Sequence, residues 1–141
     1  MSAGKYFLDT NIFVYSFDEK APREKREKAR FLIRSALEQQ EGVVSFQVVQ
    51  EFLNTATRKL PHILTSEDAG DYLRAVLMPL CTVYPEEELY REALNIHYKT
   101  KIFFYDSLIV ASAISTGCKT LYSEDLQHGR ALSGLHIRNP F

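Results

Sequence analysis

This chain has little net charge and few cysteines, and each shortage removes a class of function. Its 141 residues include 17 Lys and Arg and 18 Asp and Glu, which leaves a formal charge of −1. No overall positive field therefore marks a nucleic-acid-binding protein, and a nucleic-acid partner has to be held by a local patch. The cysteines Cys81 and Cys118 form no CxxC pair, which favours free thiols in a reducing compartment over a disulfide.

Long apolar runs are also missing from the sequence. No segment approaches the ~20 apolar residues that a membrane-spanning helix needs, and the chain reaches Asp9 without a long apolar stretch. We therefore expect a soluble, cytoplasmic protein with no membrane partner. Hydrophobic residues make up 45% of the chain, which is enough for one buried core at this length. We expect residues 1–141 to form a single domain.

Short apolar runs alternate with longer segments of helical periodicity. The runs that predict strands are Tyr6–Leu8, Val43–Val44, Leu80–Tyr84, Lys119–Tyr122 and Leu135–Arg138. Helices are predicted between them, with start or stop signals at Pro22, Gly42, Ser45, Thr65 or Ser66, Pro79, Pro85, Asp106 and Gly117. Neighbouring parallel strands need crossovers of roughly a dozen residues or more, usually helical. The pattern therefore predicts an α/β fold with about five parallel strands and helices on both faces.

Four acidic residues lie where these predicted elements begin or end. Asp9 and Asp125 follow strands, Asp106 begins a helix, and Glu51 lies near the start of another helix. In an open α/β sheet, ligands bind outside the carboxyl ends of the strands, at the point where the strand order reverses. If the two strands are neighbours, Asp9, Asp106 and Asp125 share one edge of the sheet.

Clustered carboxylates favour a hard divalent cation. Mg²⁺ is usually held by one or two carboxylates together with waters and phosphate oxygens. Such an ion activates a water and offsets the charge that builds on a phosphate during in-line displacement. Without an ion the carboxylates would repel one another, and some of their pKa values would rise. Ser123 is placed to orient a ligand or a metal-bound water.

Each carboxylate also has a purely structural interpretation. An acid after a strand is common in loops, and Asp106 or Asp125 could simply favour a helix N-terminus. Glu51, with two glutamines nearby, is typical of a solvated helix face, and Glu124 competes with Asp125 for the same role. The four acids taken together still favour a site over four separate structural roles.

The aromatic run Phe103–Tyr105 directly precedes Asp106. These rings could stack on nucleic-acid bases, because base–aromatic stacking is tolerant of sequence. An aromatic run before a helix more often packs in the core or at a dimer interface. We therefore expect the run to be buried in the core.

Four stretches of the sequence resemble the motifs of one nuclease family. They are Leu8–Asn11, Gln50–Phe52, Tyr105–Ala111 and Leu121–Leu126, and the likeness extends over the whole chain to its Asn139–Phe141 ending. On these motifs the chain resembles the PIN-domain ribonucleases, and among them the VapC-type toxins most of all. The ordered set of four acidic motifs is far more specific than any one of them.

The resemblance implies a three-layer α/β/α fold and endonucleolytic cleavage of RNA that depends on Mg²⁺ or Mn²⁺. It assigns catalysis and metal binding to the carboxylates of Asp9, Glu51, Asp106 and Asp125. It assigns supporting polar roles to Asn11 and Ser123. It also implies frequent homodimerisation and inhibition by a cognate antitoxin. It identifies neither the RNA that is cut nor the antitoxin.

Two other classes of protein compete with this interpretation. A phosphatase of the haloacid dehalogenase type also begins with a strand and an Asp, but it needs a second Asp two positions later. Asn11 occupies that position, so the acid for the leaving group is missing. The remaining alternative is a PIN-like module that binds RNA or a protein without cutting, and the four intact acids argue against it.

Overall fold

The chain folds around a mostly parallel sheet in this computed structural model, which describes residues 4–127 and 129–141. The strands are β1 (Tyr6–Leu8), β2 (Gly42–Ser45), β3 (Cys81–Val83), β4 (Thr120–Tyr122), β5 (Ala131–Leu132) and β6 (Leu135–Arg138). Their spatial order is β3-β2-β1-β4-β6-β5, and β5 alone runs antiparallel to its neighbour. The predicted α/β fold with five parallel strands is confirmed, and β5 adds a short sixth strand at the edge.

Helices connect β1 to β2, β2 to β3 and β3 to β4 and cover both faces of the sheet, whereas no helix lies between β4 and β6 in the described residues. They are α1 (Thr10–Tyr15), α2 (Arg23–Gln39), α3 (Phe46–Lys59), α4 (Ser66–Tyr72), a π-helical segment (Leu73–Leu77), α5 (Met78–Leu80), α6 (Glu87–Thr100) and α7 (Phe104–Ser115). Helix α1 packs against α2 and α3, and α6 packs against α7. Within the described residues, no helix is both long enough and apolar enough to cross a membrane. Cys81 and Cys118 are buried free thiols.

Two predicted helix stops have a different structural role. Gly42 lies in β2, and α2 ends at Gln39 with Gln40 in the left-handed region. A Cβ at Gly42 would lie 2.2 Å from Cβ of Ala36, so close packing and not chain reversal requires glycine there. Pro79 lies inside a helical stretch that ends one residue later at Leu80, and the turn before it is the π-helical segment Leu73–Leu77.

Two further boundaries differ from their predicted positions, and one predicted cap makes no side-chain hydrogen bond. Helix α6 begins at Glu87, two residues after the predicted start at Pro85. Helix α7 begins at Phe104, so Asp106 lies within its first turn and does not start it. Ser45 precedes α3 as predicted, but its side chain makes no capping hydrogen bond. Helix ends fray, and such shifts leave the position of each acid in the fold unchanged.

Buried aromatic rings fix α1 and α3 against the centre of the sheet. Phe7 of β1, Phe13 of α1 and Phe52 of α3 are all completely buried. The rings of Phe13 and Phe52 pack edge to face with centroids 6.3 Å apart. Burial of each such side chain contributes roughly 1.5–3 kcal/mol. This packing holds the residues next to these rings, Thr10 and Glu51 among them, in fixed relative positions.

The strand order reverses between β1 and β4. Leu8 of β1 pairs with Tyr122 of β4, and the two parallel strands are direct neighbours. The ladder continues past the strand end, where the amide of Asp9 donates to the carbonyl of Tyr122 at 3.0 Å. Strand β2, which follows β1 in the chain, lies on one side of β1, whereas β4 lies on the other side of β1. The two acid-bearing strands are therefore neighbours, which is the condition under which Asp9 and Asp125 share one edge of the sheet.

Candidate active site

Asp9 lies where β1 ends and α1 begins, and its carboxylate is almost fully buried at 6% exposure. One oxygen, Oδ1, accepts a hydrogen bond from the backbone amide of Thr10 at 2.7 Å. The other, Oδ2, accepts from the hydroxyl of Ser123 at 2.7 Å. Ser123 is itself fully buried, immediately after β4. Asp9 is thus held by neutral donors from two adjacent strand ends.

Glu51 is held by one residue of α1 and by one residue of its own helix, α3. Its Oε2 accepts a hydrogen bond from the hydroxyl of Thr10 at 2.6 Å, and its Oε1 accepts from Nε2 of Gln47 at 2.9 Å. The same Nε2 donates to the backbone carbonyl of Tyr105 at 3.1 Å. Glu51 is only partly exposed, so the interpretation of this residue as a solvated helix position is wrong.

Asp125 lies in the loop after β4 and faces the same region. Its Oδ2 accepts a hydrogen bond from Nδ2 of Asn11 at 3.2 Å. Its backbone amide donates to the hydroxyl oxygen of Ser123 at 3.2 Å, and that hydroxyl in turn donates to Asp9. Ser123 therefore connects the carboxylate of Asp9 to the backbone amide of Asp125, and Asn11 contacts the carboxylate of Asp125.

The pKa values show that all four predicted acids share one electrostatic environment. Burial raises the pKa of Asp9 to about 6; hydrogen bonds from Ser123 and Thr10 oppose this rise, and the charges of two neighbouring carboxylates, Glu51 and Asp125, add to it. Burial also raises the pKa of Asp106, and the charges of Asp125 and Glu51 add to that rise. We refer to Asp9, Glu51, Asp106 and Asp125 as the acidic cluster.

Among residues 4–127 and 129–141, no cationic side chain neutralises this cluster. In the described part of the chain, no nitrogen of a Lys, Arg or His side chain lies within 4.0 Å of a carboxylate oxygen of the four acids. The side-chain and backbone donors that contact them are all neutral. Clustered like charges raise the cost of ionisation unless an opposite charge is supplied.

Glu124, the competing acid, has a different environment. Lys25 Nζ lies 2.7 Å from its Oε1. Burial alone would raise the pKa of Glu124, but hydrogen bonds from Lys25 and Tyr15, together with the charge of Lys25, lower it. The ammonium group of Lys25 also lies 4.5 Å from the centroid of the Tyr15 ring. The protein's own cation therefore neutralises Glu124, and Asp125 is the residue that joins the acidic cluster.

The family can be assigned on the fold and on these motifs together. The family model of the PIN domain matches residues 6–131. The chain belongs to the PIN domain family. No curated protein matches it in sequence. The predicted resemblance to this family is confirmed.

Solved structures with the same fold include bacterial toxins. The chain is similar to a toxin–antitoxin complex from Klebsiella pneumoniae, with 16% identity, 97% of this chain and 98% of that chain covered, and a TM-score of 0.67. It is also similar to FitAcB from Neisseria gonorrhoeae, with 18% identity, coverage of 96% and 97%, and a TM-score of 0.62. A third structure is VapC20 of Mycobacterium tuberculosis, described as a sarcin-ricin loop cleaving toxin, with 19% identity, coverage of 86% and 90%, and a TM-score of 0.60. Identities this low establish a shared fold.

The donor set of this PIN domain suits a hard divalent cation. Besides the carboxylates, the buried oxygens Asn11 Oδ1 and Gln47 Oε1 accept no hydrogen bond from the described residues. Among those residues, no three His, Cys, Asp or Glu side chains form a ready-made metal-binding group. Mg²⁺ needs only one or two carboxylates, because waters and substrate oxygens complete its coordination. An open arrangement of acids therefore fits Mg²⁺ better than a closed protein cage.

Two polar residues of the site, Thr10 and Gln47, have no predicted role from the sequence. The signal for Gln47 is its spacing, because residues four apart on a helix share a face and Gln47 precedes Glu51 by four. Thr10 gives no comparable signal, since its contact with Glu51 joins residues 41 positions apart. Such a contact is set by tertiary packing alone.

The aromatic run before Asp106 is not buried as predicted. Phe103 is 79% exposed and Tyr105 is 69% exposed, whereas Phe104 between them is partly buried. The first turn of a helix presents one stripe to the core, and here Phe104 and Leu108, four residues apart, occupy that stripe. The two flanking rings are therefore left at the surface of the PIN domain.

Proposed function

We propose that this PIN domain is an endoribonuclease that hydrolyses RNA phosphodiester bonds with Mg²⁺ or Mn²⁺, and that it is the toxin of a toxin–antitoxin pair. One observation carries the proposal: four carboxylates from separate parts of the chain influence one another electrostatically, and no cationic side chain of the described residues lies beside them. Membership of the PIN domain family supports nuclease activity, and the toxins of similar fold support the biological role. The proposal includes residues 1–141 as one domain and a cytoplasmic location.

The acidic cluster would hold the cation, with a separate neutral donor fixing each of three carboxylates. Ser123 fixes Asp9, Asn11 orients Asp125, and Thr10 orients Glu51. When bound, the ion supplies the positive charge that lowers the pKa of a water and offsets charge on the phosphate. It would also oppose the rise in the pKa of Asp9 and Asp106, because an adjacent cation favours the charged carboxylate.

The enzymatic proposal is tested by cleavage of a mixed RNA pool. Purified wild type and Asp106→Asn are incubated in Mg²⁺, in Mn²⁺ or in EDTA, and the cut ends are mapped. We expect cleavage by the wild type with either ion, none in EDTA, and none by Asp106→Asn, whose thermal unfolding stays close to that of the wild type. Equal cleavage by wild type and mutant would reject the site. Folded, inhibitor-free wild type that binds RNA without cutting it would favour the non-catalytic binding module.

A cognate antitoxin is part of the proposal. The Klebsiella pneumoniae structure of similar fold is a toxin–antitoxin complex. The expected partner is a separate protein that masks the acidic cluster and so blocks cleavage. Co-expression of this chain with the protein encoded beside it, followed by affinity purification, tests this partner directly.

A homodimer is the third part of the proposal, and an exposed stripe on α6 supports it. Tyr90, Leu94 and Tyr98 are spaced four residues apart and are 38%, 43% and 68% exposed. Phe103 and Tyr105 lie close to the C-terminal end of this helix. The first turn of α6 is acidic and its last turn contains His97 and Lys99. Two copies of α6 packed antiparallel would therefore match both apolar surface and opposite charge.

The dimer is tested by the molar mass in solution. We expect the wild type to elute as a dimer and Tyr98→Glu as a monomer, because a buried unpaired carboxylate is costly at an interface. Phe31→Glu is the matched control, since Phe31 of α2 is 64% exposed and lies away from the stripe. A wild type that is monomeric at tens of micromolar would contradict this part of the proposal.

A further inference from the structure

The side chain of Gln47 joins two helices at the point where each contributes an acid. Gln47 is only 4% exposed and lies one turn before Glu51 on α3. Its Nε2 carries two hydrogens and contacts two acceptors, Glu51 Oε1 at 2.9 Å and the carbonyl of Tyr105 at 3.1 Å. Tyr105 lies in the first turn of α7, directly before Asp106. One amide group therefore links the acid of α3 to the acid-bearing turn of α7.

The orientation of this amide follows from its neighbours. A carboxylate and a backbone carbonyl only accept hydrogen bonds, so the NH₂ group of Gln47 and not its oxygen has to face them. Both of its donor hydrogens are then used. Because two bonds in different directions fix one planar group, the side chain has little freedom to rotate, and Glu51 Oε1 is held in place with it.

We propose that Gln47 is a positioning residue, which holds Glu51 and the first turn of α7 in the geometry that a divalent cation needs. This inference rests on the proposed function. Each oxygen of Glu51 accepts one hydrogen bond, from Thr10 on one side and from Gln47 on the other. Loss of the amide releases one oxygen, and the carboxylate can then turn away from the cluster.

A purely structural link between α3 and α7 would not favour glutamine. The Oε1 atom of Gln47 is buried and accepts no hydrogen bond within residues 4–127 and 129–141. A buried polar atom without a partner is destabilising, and an apolar side chain of similar volume would join the two helices without that cost. The presence of an amide at this position is therefore better explained by the positioning of Glu51 and α7 than by a contribution to the stability of the fold.

The test is the affinity of the full chain for Mn²⁺ in the absence of RNA, measured by electron paramagnetic resonance of free Mn²⁺. Gln47→Met keeps the length of the side chain and removes both donors. We expect its Kd to rise about tenfold or more, the range seen when a residue behind a metal ligand is lost. Gln50→Met, an exposed position on the same helix, is the control and stays within about twofold of wild type. A Gln47→Met Kd within about twofold of wild type would overturn the inference.

A double-mutant cycle separates positioning from a general loss of structure. In a Glu51→Gln background, Gln47→Met should weaken Mn²⁺ binding by a smaller factor than it does in the wild type, because one of the two groups through which it acts is already altered. A further tenfold weakening in that background would also overturn the inference. Should Gln47→Met not fold, Gln47→Asn takes its place, since its amide is one methylene too short to reach both acceptors.

The two proposals fail in different ways. If the wild type binds no Mn²⁺ and cuts no RNA, the proposed function itself is rejected. A wild type that binds Mn²⁺ and cuts RNA, with Gln47→Met unchanged in affinity, removes only the role of Gln47.

Discussion

Glu124 and Asp125 are adjacent in sequence and have opposite surroundings. Glu124 is paired with Lys25 at 2.7 Å, and the net effect of its surroundings is to lower its pKa. Asp125 accepts a bond from the neutral amide of Asn11, and its charge raises the pKa of Asp9 and Asp106. One carboxylate thus has its counter-charge within the protein, and the other lies among further negative charges.

The difference shows how a structural acid can be told from a functional one. An ion pair within the chain stabilises the fold, and its carboxylate has no unneutralised charge with which to bind an external cation. Acids that are brought together without a counter-charge destabilise the ion-free fold, and proteins keep such arrangements at sites that bind or react. On this comparison we propose a structural role for Glu124 and a functional role for Asp125.

The largest expected effect is on catalysis and separates the two neighbours. Asp125→Asn should lower kcat for RNA cleavage by on the order of a hundredfold or more, the scale of removing one electrostatic catalytic contact. Glu124→Gln, the matched isosteric change one residue away, should cost less than about tenfold. Single-turnover cleavage with saturating Mg²⁺ measures both variants. Equal losses in the two variants would remove the distinction between them.

A smaller effect is the pH dependence of stability in EDTA. The pKa of Asp9 rises from 3.8 to about 6 in the fold. Its favourable contribution to the free energy of unfolding is therefore fully present below pH ~4 and is lost as the pH rises through 6. The ion-free wild type should lose on the order of 3 kcal/mol between pH 4 and pH 7.5 from this group. Asp9→Asn cannot ionise and should lose less over that range. Urea unfolding at the two pH values gives the comparison, and parallel pH profiles would contradict it.

The smallest effect belongs to the Lys25–Glu124 pair, and its sign is opposite. Because the pKa of Glu124 is lowered, its contribution to the free energy of unfolding is present above pH ~4.5 and is lost as the pH falls. The two side chains are 28% and 27% exposed, so solvent screens the pair. Lys25→Met should lower the free energy of unfolding at pH 7 by about 1 kcal/mol or less. Urea unfolding should show no further loss on adding Glu124→Gln, and a second full loss would mean that the residues are not coupled.

Local patterns in the sequence predict the sheet and three of the four acids well. Strand ends, helix caps and the alternation of elements are short-range features, so Asp9 and Asp125 could be placed at strand ends from their positions alone. The pairing of β1 with β4 and the reversal of strand order between them are long-range features, which only the structure gives. Glu51 depends instead on the family resemblance, because its partner Thr10 lies far away in the chain.

The remaining features depend on packing that no local pattern reveals. Strand β5 has two residues, too few for alternation, and it pairs through a tight turn with Ser133 and Gly134 at φ of 50° and 83°. The exposure of Phe103 and Tyr105 reflects which side of α7 contacts α6. Gly42 looks like a helix stop, but it is required by the closeness of Ala36. In each case a tertiary contact decides the outcome.

The most direct test of the central claim is the position of bound Mn²⁺ in a crystal, found by anomalous diffraction. The account predicts an ion at the acidic cluster, coordinated by carboxylate oxygens that include Asp9 and Asp106, with Glu124 still paired to Lys25. An ion bound at Glu124, or a cluster that stays free of Mn²⁺ at millimolar concentration, would contradict it.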